Sequence, residues 1–156
     1  MALLGSAAPE IEVADWVLGQ PTTLAEQHGK VLLLEFWARW CRPCLAMFPV
    51  LRELHSRYAE CGLTIAALTR YVLSPRGDPI ADRVRQRDAI CQTVAGRGLE
   101  IAVGIAPDRR LQQKYGATGI PAFALVDHLG IVRSASPMAD KAELGKAIAD
   151  LLHTPM

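Results

Sequence analysis

Val31-Leu32-Leu33-Leu34-Glu35-Phe36-Trp37-Ala38-Arg39-Trp40-Cys41-Arg42-Pro43-Cys44 is the stretch on which the fold turns. Its first seven residues form an apolar run of strand length. A strand with one wet face alternates polar and apolar positions, and this one does not, so it is expected at the centre of a sheet covered on both faces. Glu35 is the only ionisable side chain in the run. Desolvation there should raise the pKa of its carboxyl.

Working outward, Leu45, Phe48, Leu51, Leu54, Tyr58 and Cys61 recur at spacings of three and four. They predict one amphipathic helix that begins at the cysteines and is stopped by Gly62. Leu63 to Val72 reads as a second strand, completing a strand-helix-strand unit. On the other side, Thr23-Leu24-Ala25-Glu26 is a capping-box pattern, so a short helix ending near Gly29 should precede the apolar run.

A loop is expected from Leu73 to Pro79, then a helix from Ile80 to about Ala95. Ile80, Val84, Cys91 and Val94 should form its buried side, with the charge run from Asp82 to Asp88 facing solvent. Ile101–Ile105 reads as a strand, Asp108–Tyr115 as a short helix and Ala122–Val126 as a further strand. Asp127–Gly130 turns into a hairpin through Ile131–Ser134, and Lys141–Leu152 closes with a helix. With no repeat or linker, residues 1–156 read as one α/β domain with its core at about 9–153.

A chain of 156 residues with 51% hydrophobic and 21% charged composition can bury about two thirds of its surface without crosslinks. Its four cysteines therefore need another explanation. Seventeen basic against sixteen acidic residues leave a net charge of +1, which provides no field for nucleic acid or an anionic membrane. No run of about 18 apolar residues appears, and Met1 to Ala8 lacks a basic n-region. As written the chain is expected to be cytoplasmic, with a periplasmic protein as the alternative if a signal or anchor has been removed. Cysteines 41 and 44 make the one close pair, and His28, His55, His128 and His153 form no metal-binding couple. Neither a metal nor a cofactor is expected.

A CxxC at a helix start carries a mechanism. The first turn leaves backbone N–H groups unpaired at the positive end of the helix dipole, which stabilises a thiolate at Cys41. The thiolate is the attacking species, and Cys44 is near enough to resolve a mixed disulfide formed there. Pro43 suits that turn because its missing N–H would be unpaired anyway. Arg39 and Arg42 flank the nucleophile and would favour its thiolate and acidic substrate edges; exposed, solvated charge is the plainer account of both. Trp37 reads as core and Trp40 as a contact residue. Cys61 and Cys91 continue apolar stripes and are expected as small core residues.

Trp37-Ala38-Arg39-Trp40-Cys41-Arg42-Pro43-Cys44 closely resembles the WAxWCxPC motif of the thioredoxin superfamily. Tyr115-Gly116-Ala117-Thr118-Gly119-Ile120-Pro121 resembles that family's segment ending in an active-site cis-proline. The Ala8–Val13 opening, the Leu24–Gly29 segment and the extra helix resemble the TlpA/ResA-like redoxin branch. The resemblance implies a thioredoxin-like fold: a central mixed β-sheet flanked by helices on both faces, with an N-terminal extension and an inserted helix. It implies a thiol-disulfide oxidoreductase acting on protein thiols and disulfides, served by an upstream thiol reductant or oxidant and working as a monomer. In it Glu35 would exchange a proton with the resolving cysteine, and a cis Ile120–Pro121 bond would turn the Ile120 backbone toward an extended substrate. Trp40, Arg42, Pro43, Ile120 and Pro121 are thus the expected substrate contacts. Ala122 stands where threonine or glutamate often follows this proline, which counts against the cytochrome c maturation members.

Two other functions compete. A copper metallochaperone would hold its metal on two cysteines and a histidine. A peroxiredoxin-type peroxidase would need Thr-x-x-Cys, and no Thr lies three before any cysteine.

Overall fold

The computed structural model describes residues 3–72, 75–136 and 140–155. Leu73 and Ser74, part of the expected loop, lie outside the described residues, as do Met1 and Ala2. The elements in order are β1 (Asp15–Leu18), α1 (Leu24–Gln27), β2 (Val31–Phe36), α2 (Arg42–Ala46) and α3 (Phe48–Tyr58). They continue with β3 (Leu63–Arg70), α4 (Pro79–Val94), β4 (Ala102–Ala106), α5 (Arg110–Lys114), β5 (Ala122–Val126), β6 (Val132–Ser136) and α6 (Lys141–Leu152).

The six strands form one mixed sheet in the order β1-β4-β3-β2-β5-β6. β2, β3 and β4 run parallel, while β1, β5 and β6 pair antiparallel with their neighbours. The continuous apolar run is central, as expected, and every residue of β2 is buried. Side chains alternate across it. Val31, Leu33 and Trp37 pack with α3, α4 and α6, whereas Leu32, Leu34 and Phe36 pack with α5, Tyr115 and the N-terminal segment. At Thr23 the cap forms as predicted, its hydroxyl accepting from the Glu26 N–H at 3.3 Å.

Three local expectations are corrected. The helix after the cysteines is two helices meeting at Met47. Pro49 has no N–H to offer the Leu45 carbonyl and its ring crowds that turn, so the ladder breaks there. Cys61 then falls in a separate 3₁₀ turn, ended by Gly62 at φ 104°, and is exposed rather than core. Cys91 is partly exposed.

On α4 the expected apolar face points outward, Ile80 being 77% and Val84 54% exposed. Of the expected stripe Val94 is buried, as predicted, and it shares the inward side with Asp82 and Ile90. Polar contacts set this rotation. The Gln86 side chain accepts from the Val72 N–H at 2.7 Å and donates to the Val72 carbonyl at 2.8 Å, pinning α4 to the chain just past β3.

Sequence reading also missed β1, a four-residue strand too short to show a period. It is held from outside itself: the Tyr71 hydroxyl donates to Asp15 at 2.6 Å, and Arg87 reaches the same carboxylate at 3.2 Å. Gly104 on β4 is what lets β1 approach, since a Cβ there would stand 3.0 Å from the Trp16 ring.

Candidate active site

Cys41 sits where β2 has ended and α2 begins, with an extended backbone at φ −93°, ψ 98°. Its sulfur accepts from the Cys44 N–H at 3.3 Å, so the residue caps its own helix. Pro43 occupies the first turn, where no N–H is needed. Cys41 and Cys44 are joined by a disulfide with Cα atoms 5.3 Å apart. Their surroundings differ. Cys41 keeps 9% exposure, whereas Cys44 has none and is packed in the cluster that holds Trp37 and Phe48, whose rings meet edge-on at 5.1 Å. On reduction the N–H that already points at Cys41 would stabilise a thiolate there, and of the two residues only Cys41 keeps any exposure.

The Ile120–Pro121 bond is cis. Pairing of Phe36 with Ala122 brings this bond to the β2 end that leads into the cysteine loop. Ile120 is half-buried, and with Trp40, Ala38, Thr118 and Arg70 it lines a groove of about 240 Å³. Of the expected contacts, Trp40, 61% exposed, shares this groove with Ile120; Arg42 and Pro43 are exposed beside Cys41 in the chain, and Pro121 is buried. Arg39 lies 5.9 Å over the Trp40 ring. Trp37, in contrast, is wholly buried, as its place in the apolar run implies.

Glu35 is fully buried, and neither carboxylate oxygen has a hydrogen-bond partner among the described residues. Burial holds its carboxyl well above its usual range. Strand alternation puts it on the Leu33 and Trp37 side of β2, the side packed against both cysteines.

Thr69, Arg70 and Gln86 also border the site, and sequence reading did not single them out. Arg70 gave the one available signal, as a charge closing an apolar strand. The two remaining cysteines are far apart in character from the pair. Thiol counting on the oxidised, denatured protein should find two free thiols, and in the native protein Cys61 should be alkylated well before Cys91. Finding no free thiol would mean a second disulfide.

A disulfide between one fully buried and one slightly exposed cysteine, with a cis-proline at the neighbouring strand end of this sheet, defines a thioredoxin-like domain. The chain belongs to the Redoxin family, whose profile matches residues 3–151. It is 30% identical over 129 residues to thiol-disulfide oxidoreductase ResA of Bacillus thuringiensis (strain Al Hakam), covering 83% of this chain and 66% of that protein. To ResA of Geobacillus kaustophilus it is 35% identical over 130 residues, covering 83% and 67%. Thus the chain spans about two thirds of the length of these relatives. A solved structure of a thiol:disulfide interchange protein DsbE from Chlorobium tepidum superposes with a TM-score of 0.73 at 26% identity, covering 96% of this chain and 97% of that one. A thiol-disulfide isomerase from Corynebacterium glutamicum shares the fold, with a TM-score of 0.76 at 21% identity, covering 95% and 98%. These relatives favour thiol-disulfide chemistry over the copper-carrier and peroxidase readings. Among the described residues no helix is long and apolar enough to cross a membrane.

Proposed function

We propose that the protein exchanges disulfides with protein substrates as a monomeric single domain, with Cys41 as nucleophile, Cys44 as resolving thiol and Glu35 as the proton store for Cys44. The observation that carries this reading is the unequal burial of the two bonded cysteines, 9% against 0% exposed. In the reducing direction the Cys41 thiolate attacks one sulfur of a substrate disulfide, and the other substrate sulfur leaves as a thiolate. When Glu35 is ionised, its carboxylate takes the Cys44 proton as Cys44 attacks the Cys41 sulfur, releasing the second substrate thiolate and closing the Cys41–Cys44 disulfide. Two electrons pass from the protein to the substrate. Run backward, the same steps oxidise a dithiol. Trp40, Arg42, Pro43, Ile120 and Pro121 hold the substrate segment across the disulfide, and an upstream thiol reductant or oxidant resets the pair. The cytoplasmic placement expected from the chain's first residues gains no support from the relatives, and the chemistry is the same in a periplasmic setting.

Two measurements test this reading. The reduced protein should cleave insulin disulfides with dithiothreitol as the electron source, and inactivity there would refute the function. In a glutathione redox buffer the Cys41–Cys44 couple should titrate as one two-electron transition. Arg42→Gly should make its potential more negative, because the guanidinium beside Cys41 favours the thiolate and hence the reduced form. As the group is exposed, the shift should be only about 10 to 30 mV and should shrink with salt. A positive shift at low salt would show that Arg42 points away from the sulfur.

A further inference from the structure

The groove at the cis-proline does not end at Trp40. Trp40, Thr69 and Arg70 also line a second groove, of about 550 Å³, which runs on between the end of β3 and helix α4. Its apolar lining comes from Trp40, Val72, Ala89 and Ile90, and its charge from Arg39, Arg70 and Arg85. The one acid in it, Asp82, is turned inward. One of its oxygens is bonded by Arg85, and the other is sealed from solvent against Gly77. Among the described residues Arg39 and Arg70 form no salt bridge, and Asp108, which feels the Arg70 charge, is held by Arg110 at 2.9 Å. The wall is set in place before anything binds, because the two Gln86 hydrogen bonds tie α4 to Val72. A chain whose net charge is only +1 thus concentrates three guanidinium groups around an apolar trough that begins beside its reactive sulfur.

We infer that this second groove selects the substrate: it takes the part of a protein segment that runs from the reacting cysteine toward α4, and prefers acidic side chains next to an apolar or aromatic one. The inference rests on the disulfide-exchange reading and names the substrate class of that same site. Charge complementarity supplies the selectivity: acidic groups would meet Arg39, Arg70 and Arg85, while an apolar anchor would cover Val72 and the Trp40 ring. Nucleic acid would leave that apolar lining uncovered.

The test compares two peptides with the reduced wild-type protein. Each has one cysteine blocked as a mixed disulfide with 2-mercaptoethanol and flanked on both sides by a tryptophan and either two aspartates or two lysines. Hydroxyethyl disulfide serves as a small neutral reference. The acidic peptide should react about tenfold faster than the basic one at low salt, and the ratio should collapse toward one at high salt. Arg39→Glu combined with Arg85→Glu should reverse the preference, so that the basic peptide becomes the faster substrate. Because a ratio of two peptides is read, any change in Cys41 reactivity cancels. Equal rates for the two peptides while hydroxyethyl disulfide is reduced would overturn the groove alone. No reaction with any of the three would overturn it together with the function on which it rests. A concentration-dependent dimer in sedimentation velocity, abolished by the double variant, would assign the groove to a second copy of the chain and overturn the inference too.

Discussion

Cys44→Ser should accumulate a covalent mixed disulfide with substrate, and Cys41→Ser should accumulate none. Both variants should lose turnover by on the order of a thousandfold, since exchange needs each sulfur in sequence. They fail at different steps. With Cys44 replaced, attack by Cys41 still proceeds, but nothing within reach displaces the bound substrate. With Cys41 replaced, the remaining sulfur is completely buried and cannot be approached by a folded partner. Cys44→Ala should trap as Cys44→Ser does, without placing a hydroxyl in an apolar site at a cost of about 1 to 3 kcal/mol. Mass spectrometry before and after dithiothreitol reads the adduct directly. Equal trapping through both single variants would remove the assignment of roles.

The second large effect belongs to Glu35 and appears in stability against pH. Burial raises this carboxyl in the folded protein well above its ordinary value of 4.5. Below that ordinary value the folded and unfolded chains both hold the proton, and the residue contributes no pH dependence. Above it the unfolded chain releases a proton that the folded chain still keeps, so stability falls as pH rises, until the folded carboxyl ionises too. The slope over that window is about 1.4 kcal/mol per pH unit for a single group. Glu35→Gln should abolish this slope, leaving the variant more stable than the wild type at neutral and alkaline pH and closest to it near pH 4. Urea unfolding at a series of pH values measures the difference. An unchanged slope would mean that Glu35 does not titrate in this window. In kinetics the variant should slow resolution by Cys44 more than the initial attack by Cys41, a split that a purely architectural residue would not produce.

These two predictions depend on different depths of information. The central strand, the CxxC at a helix start, the cap at Thr23 and the hairpin after Asp127 were all legible from residues alone. Each is governed by contacts within a few positions: continuous burial of β2, unpaired N–H groups at the first turn of α2, and a hydroxyl three residues from its N–H partner. Glu35 was legible for the same reason, as one charge in a run with no wet face. Its missing partners, and its placement on the cysteine side of the sheet, depend on what packs above it.

Tertiary contacts decided the rest. The rotation of α4 follows side-chain hydrogen bonds from Gln86 to Val72, which outweigh the apolar stripe of Ile80 and Val84 because they satisfy backbone groups that the end of β3 leaves open. Cys61 left the core because α3 ends at Tyr58 and the chain tightens into a 3₁₀ turn closed by Gly62, which breaks the 3.6-residue period that would have carried it inward. β1 exists only because Gly104 makes room for Trp16, and Tyr71 with Arg87 ties down Asp15. The reactive pair was determined locally, by residues that are neighbours in the chain. The groove beside it draws Arg39, Arg70 and Arg85 from three separate segments, and no periodicity within any one of them records that they meet.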